Sequence, residues 1–300
     1  MRILLTGSNS LLGKALWETA PKVSSLILTF LPSAEPSQTR WETAPMDITD
    51  KAAVKHTLAR FKPDWIIHCA ALSDVDSCEK NPDQAYAVNV FGTENLVNTA
   101  KKAGLRFLFT SSNGIFDGKR TLYTERDKPH PLHTYGKTKL EAEQLITRSK
   151  VPSIIVRPNA MYGWPPVGAR QNPVTWAVEQ LSEGITLDMV SDTFISPLYA
   201  PSAAEAIWKL VKTDTRGIYH IAGKTRVSRF TWTKEIARVF GFNPSLVRPV
   251  KSGFFPNLAP RPKDTSFSTA RLEQTIDWKP LTLKQGLMRM KKESDQLLHC

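Results

Sequence analysis

The chain has 300 residues, 41% of them apolar and 23% charged, with a formal net charge of +12 and a pI near 9.6. That length allows one large domain or two smaller ones around a substantial core, and no apolar run approaches the roughly 18 residues that cross a bilayer. Three scattered cysteines, Cys69, Cys78 and Cys300, make neither a disulfide framework nor a zinc site. The opening MRILLTG lacks the apolar stretch and cleavage site of a secretory signal, so a cytoplasmic protein with no membrane partner is expected. Lys and Arg are spread along the chain and form no stripe, so no nucleic-acid partner is expected. A basic surface also suits an anionic small substrate such as a sugar diphosphate.

In chain order, residues 2–6 are continuously apolar, as a buried parallel strand is. A turn follows at 7–10, then a helical pattern from Leu11. SSLILTF at 24–30 reads as a second strand. DKAAVKHTLARF at 50–61 has helical spacing with Asp50 as its N-cap. DWIIHCAAL reads as a strand, with Cys69 as buried packing. NPDQAYAVNVFGTENLVNTAKKAG reads as one long helix closed by Gly104. RFLFTSS is a strand, TYGKTKLEAEQLITRS a helix and PSIIVRP a strand. This alternation with short links predicts an α/β fold, a doubly wound parallel sheet with helices on both faces. After about residue 160 prolines and aromatics become dense. Helical stretches follow near 173–183, 200–212 and 230–240, with a short strand at GIYHIAG. The predicted organisation is a nucleotide-binding domain over residues 1–158. A smaller substrate-binding lid over 159–300 follows, with some of its segments returning to the sheet.

Five stretches carry chemistry. A strand, then TGSNSLLG, then a helix is the setting of a dinucleotide-binding turn. Gly7 and Gly13 occupy glycine places, but Ser10 stands where the middle glycine would let backbone approach a pyrophosphate. With a negative φ, its hydroxyl can itself donate to phosphate. If the site demands a positive φ, serine costs about 1 kcal/mol. Asp47 in MDITD, after a strand, can accept from an adenine amino group. No acid appears about 20 residues beyond the glycine turn, where LTFLPS stands, which leans from NADH toward NADPH. Tyr135 and Lys139 are one helical turn apart. An ammonium there is expected to pull a phenol down from its ordinary value of about 10 and fit it for proton transfer. Ser111 and Ser112 fall at the carboxyl end of a strand, where a hydroxyl can donate to a carbonyl oxygen. His130 and His133 are read as solvated loop residues without a role.

In that order these motifs resemble an extended short-chain dehydrogenase/reductase, most closely the dTDP-4-dehydrorhamnose reductase branch. The likeness runs through TGSNSLLG, MDITD, VDSCEKNPDQAYAVN, SSNGIFDG, PLHTYGKTKLEAE, VRPNAMYG, GIYHIAG and APRPKDTSFSTARLE. It implies a Rossmann domain holding NADPH or NADH, with NADPH slightly favoured, and a nucleotide-sugar substrate. A homodimer is left open. By the resemblance, Tyr135 is the catalytic acid, Lys139 holds the nicotinamide ribose and tunes Tyr135, and Ser112 polarises the keto group where threonine is usual. Gly7, Ser10, Leu11, Leu12 and Gly13 line the pyrophosphate, and Asp47 and Ile48 the adenine. Ala71, Leu72, Ser73 and Thr110 line the cofactor from neighbouring strand ends.

Departures fall on the substrate side. Asn113 stands in place of a common aspartate, Gly114 of a tyrosine, and Ala160 of a tryptophan that faces the substrate. Ala15 replaces a glutamate that binds metal in some members, so no metal is expected. Arg170, Arg261 and Lys263 are the candidates to hold a diphosphate. The expected reaction is reduction of the 4-keto group of a nucleotide-linked 6-deoxyhexose. The alternatives are a non-catalytic regulatory subunit, like the beta subunit of methionine adenosyltransferase, and a sugar-nucleotide epimerase or dehydratase. For a dehydratase, SSNG lacks the extra carboxylates.

Overall fold

The computed structural model describes residues 1–22, 24–31, 39–256 and 259–297. Cys300, and Pro32 and Ser33 of the acid-free stretch, lie outside the described residues. The strands are β1 (Arg2–Thr6), β2 (Ser25–Phe30), β3 (Glu42–Pro45), β4 (Trp65–His68), β5 (Arg106–Thr110) and β6 (Ser153–Pro158). Then come β7 (Met161–Tyr162), β8 (Leu187–Val190), β9 (Phe194–Ile195), β10 (Leu198–Tyr199), β11 (Gly217–Ile221), β12 (Val227–Ser228) and β13 (Val247–Val250). The helices are α1 (Leu11–Glu18), α2 (Lys51–Phe61), α3 (Val75–Lys80), α4 (Pro82–Tyr86), α5 (Thr93–Ala103) and α6 (Thr134–Ser149). The second half adds α7 (Pro173–Ser182), α8 (Ala200–Val211), α9 (Arg229–Phe240), α10 (Ala270–Thr275) and α11 (Leu283–Leu297).

Seven strands form one parallel sheet in the order β3-β2-β1-β4-β5-β6-β11. Strands buried on both faces explain the continuous apolar runs. Ile3, Leu5, Leu26 and Leu28 meet Leu12 and Leu16 of α1 and Ile207 and Trp208 of α8 on one side. Leu4, Ile27, Ile66 and Phe107 meet Val54 of α2, Leu96 of α5 and Ile146 of α6 on the other. The chain runs outward on either side of β1, so β1 and β4 flank the switch point at which doubly wound sheets place their ligands.

A third core, around Tyr162, Leu181, Trp232, Ile236 and Leu287, joins α7, α9 and α11. The chain enters this lobe from the carboxyl ends of β6 and β11, so the lobe stands over the same sheet edge as the glycine turn. The stretch expected as one long helix is interrupted. Between α4 and α5, residues Ala87–Gly92 form a π turn. At its centre Asn89 is 1% exposed and holds the loop after β4, donating to Leu72 O (3.0 Å) and accepting from Leu72 N (2.8 Å). A π turn widens the helix locally and is often found at functional sites; here it carries that buried amide.

Candidate active site

The glycine turn is built by close approach. Gly7 has φ +69°, and a Cβ on it would lie 2.6 Å from Ala70 N. A Cβ on Gly13 would lie 2.1 Å from Gly7 O, so α1 packs backbone to backbone on the turn. Ser10 has φ −84° and caps α1, its Oγ accepting from the Gly13 amide at 3.0 Å. The middle position therefore demands no left-handed backbone, and serine pays no conformational cost there. Its hydroxyl proton stays available for a phosphate oxygen, and α1 presents its amino end to the same place. Leu11 is partly buried, and Leu12 is fully buried under the helix.

Ser112 follows β5 and caps a short turn, its Oγ accepting from Gly114 N at 3.0 Å. Tyr135 and Lys139 lie on the first turns of α6. Burial pushes the Tyr135 phenol up to about 12, with a hydrogen bond to Ser112 pulling the other way. This corrects the expectation of a lowered phenol: Lys139 is not among the groups acting on it, and loss of water around the phenolate outweighs the rest. Lys139 is itself 2% exposed, and burial lowers its ammonium to about 8, opposed by Cys69 and Glu143. Its Nζ stands 4.1 Å over the Phe109 ring. Cys69 is half-buried, not pure core; its Sγ shares a 3.3 Å hydrogen bond with Thr110 Oγ1, and burial raises the thiol to about 11. Ser111 Oγ is buried without a hydrogen-bond partner.

Sequence reasoning missed the bracing. Asn89 also donates to Thr138 Oγ1 of α6 (3.1 Å), tying the Ala71–Ser73 loop to the helix of Tyr135. His68 spans Thr6 Oγ1 (2.7 Å) and Thr93 Oγ1 (3.0 Å), and Thr6 Oγ1 accepts from Ala70 N. One turn beyond Lys139, Glu143 takes both Nε (2.9 Å) and Nη2 (2.6 Å) of Arg157, all buried. An arginine inside the apolar strand SIIVRP was the available clue, since a buried cation requires a partner. Asn113 donates to Thr265 Oγ1 at 2.7 Å and toward Asn159 Oδ1, joining the two lobes behind Ser112. Ala160 packs against the third core.

His133 departs from expectation. It is buried, its Nδ1 caps α6 by accepting from Gly136 N (3.0 Å), and burial lowers the imidazole to about 4. His130 is exposed. Asp47 uses one carboxylate oxygen to hold Thr49 N and Oγ1, both at 2.8 Å, and Ile48 is buried against Gly92. Two of the three candidate lid cations are engaged across the cleft: Arg170 pairs with Asp74 (2.5 Å) and Arg261 with Asp76 (2.7 Å), at the start of α3, while Lys263 is exposed.

Comparison with known proteins agrees with the fold. The family model described as RmlD substrate binding domain matches residues 1–296. The dTDP-4-dehydrorhamnose reductase of Mycobacterium tuberculosis is 30% identical, over 89% of this chain and 85% of its own. The methionine adenosyltransferase 2 subunit beta of Xenopus tropicalis is also 30% identical, over 91% of this chain and 82% of its own. The crystal structure of dTDP-4-dehydrorhamnose reductase from Bacillus anthracis, solved in complex with NADP, superposes with a TM-score of 0.83 at 28% identity, covering 97% of this chain and 99% of that one. With a seven-stranded parallel Rossmann sheet and a family match along nearly its whole length, the chain belongs to the dTDP-4-dehydrorhamnose reductase family.

Proposed function

We propose that this chain is a nicotinamide-dependent reductase of the 4-keto group of a nucleotide-linked 6-deoxyhexose. The observation that carries the reading is the grouping of Ser112, Tyr135 and Lys139 at the ends of β5 and α6, at the sheet edge that bears the glycine turn. The cradle suits a dinucleotide: at Gly7 and Gly13 any Cβ would collide with backbone, and the amino end of α1 faces the same space. Gly7 and Ser10–Gly13 would hold the pyrophosphate, Asp47 and Ile48 the adenine, and Ala71, Leu72, Ser73 and Thr110 the inner half. Phe30 ends β2 and Leu31 follows it, neither of them an acid for a ribose hydroxyl, which supports NADPH over NADH.

When bound, the nicotinamide supplies a hydride to the carbonyl carbon. Tyr135, protonated through the neutral range, gives its phenolic proton to the carbonyl oxygen as charge develops there. The Ser112 hydroxyl donates to the same oxygen. Lys139, charged below about 8, would hold the ribose hydroxyls of the bound cofactor.

The test is titration with NADPH and NADH by fluorescence, then oxidation with dTDP-4-keto-6-deoxyglucose or its epimerised product. Substrate-dependent oxidation is expected, and Tyr135→Phe should lose at least about 100-fold of it while keeping cofactor affinity. Equal oxidation by Tyr135→Phe would sink the mechanism. A second reading, a regulatory subunit, is supported by the adenosyltransferase beta-subunit relative and by the altered positions Gly114 and Ala160. Cofactor binding with no oxidation on any keto sugar would favour it.

A further inference from the structure

His133 stands between the helix it caps and the catalytic pocket. Its Nδ1 accepts from Gly136 N at 3.0 Å, and an imidazole nitrogen that accepts carries no proton. In the neutral ring the proton therefore sits on Nε2. The ring is 2% exposed and stays neutral at working pH, so this tautomer is the resident one.

The Nε2 edge faces Gly114. A Cβ built on Gly114 would lie 3.0 Å from His133 Cε1 and 3.4 Å from both His133 Nε2 and Ser112 Oγ. His133 Nε2 and Ser112 Oγ thus both lie close against Gly114. The imidazole runs parallel to the Tyr135 ring, with centroids 6.2 Å apart and planes 12° apart. Among the described residues the Nε2 edge makes no hydrogen bond to another residue. A Cβ at position 114 would press on the imidazole edge at 3.0 Å, so the glycine lets the ring sit close beside Ser112.

We propose that His133 is a substrate-binding residue whose Nε2–H donates to a hydroxyl or carbonyl oxygen of the sugar ring held beside Ser112 and Tyr135. This inference rests on the reductase reading. It assigns to a capping histidine the contact that distinguishes this pocket from one with a bulky residue at 114.

Asparagine separates the two duties of His133. In His133→Asn the Oδ1 takes the place of Nδ1 and is a favoured cap, but the Cε1–Nε2 edge is gone. His133→Ala loses both. The NADPH-loaded proteins are compared by melting temperature, by calorimetric titration with dTDP-rhamnose, and by KM and kcat on the keto sugar. His133→Asn should melt and bind NADPH as the wild type does, yet bind dTDP-rhamnose about tenfold more weakly, the loss of one neutral hydrogen bond, with KM raised. His133→Ala should also melt lower. In the wild type, the proton resonance of Nε2–H, assigned by its disappearance in His133→Asn, should shift on adding dTDP-rhamnose. Unchanged sugar affinity and KM in His133→Asn, or an unmoved resonance in a wild type that binds the sugar nucleotide, overturns this inference alone. A wild type that binds no sugar nucleotide overturns the reductase reading and this inference with it.

Discussion

Lowering the pH from about 7.5 to about 5 should remove about 6 kcal/mol of folding stability, because three histidines are folded away in neutral form. His68 is held to about 3, first by burial and then by the Lys139 charge. His220, stacked on Phe267 with its Nδ1 at 3.0 Å from Tyr123 O, is held to about 3 by burial and by Arg157. His133 is held to about 4, chiefly by burial. In the unfolded chain each titrates near 6.5. Between that value and the folded one, the unfolded state binds one more proton per histidine, so stability falls as pH falls. The stabilisation is fully present above 6.5 and is lost as pH drops toward the folded values. Each ring contributes about 2 kcal/mol over this interval. The carboxylates with lowered values, Asp74, Glu79, Asp117, Asp127 and Asp192, titrate below this window. A total near 6 kcal/mol is comparable with the whole stability of many domains. Urea unfolding followed by tryptophan fluorescence across this range measures it. His133→Asn should shrink the loss by about a third. A loss below about 2 kcal/mol in the wild type would mean that the folded rings take up protons, and would refute the sealed environments described for them.

Gly13→Ala forces a Cβ to within 2.1 Å of Gly7 O and should lower the melting temperature and weaken NADPH binding more than tenfold. Ser10→Ala loses the cap, about 1 kcal/mol, and the hydroxyl offered to phosphate, with NADPH affinity within tenfold of the wild type; paired melts and cofactor titrations check both. Glu143→Gln removes the counter-charge and one of the two acceptor oxygens from the buried Arg157 and should cost about 3–5 kcal/mol in urea unfolding. The same change removes a charge that favours the Lys139 ammonium, so the alkaline limb of the pH–rate profile should move to lower pH. A stability loss under about 1 kcal/mol would contradict the pairing.

The alternation of apolar runs with amphipathic ones was enough to read the doubly wound sheet, because a strand covered on both faces has no polar side to show. Local chemistry was legible too. Asp50 caps α2 through Ala52 N and Ala53 N, Gly104 closes α5 at φ +67°, and the spacing of Tyr135 and Lys139 places them one turn apart. These depend on neighbours a few residues away, which a sequence displays directly. What it could not display were contacts between distant positions. The π turn in the long helix is tied to the loop that Asn89 holds, 17 residues back in the chain. The Tyr135 phenol rises where a neighbouring lysine alone would have lowered it, because burial is a property of the assembled site. Arg170 and Arg261, read as candidates to hold a diphosphate, meet Asp74 and Asp76 only once the second lobe lies over the sheet. The sequence by itself determined the order of strands and helices in the parallel sheet and the glycine turn, and it supplied the candidates for the reactive side chains. The tertiary structure alone decided their protonation, their partners and the close packing of His133 on Gly114, since desolvation and close packing depend on how the whole chain folds.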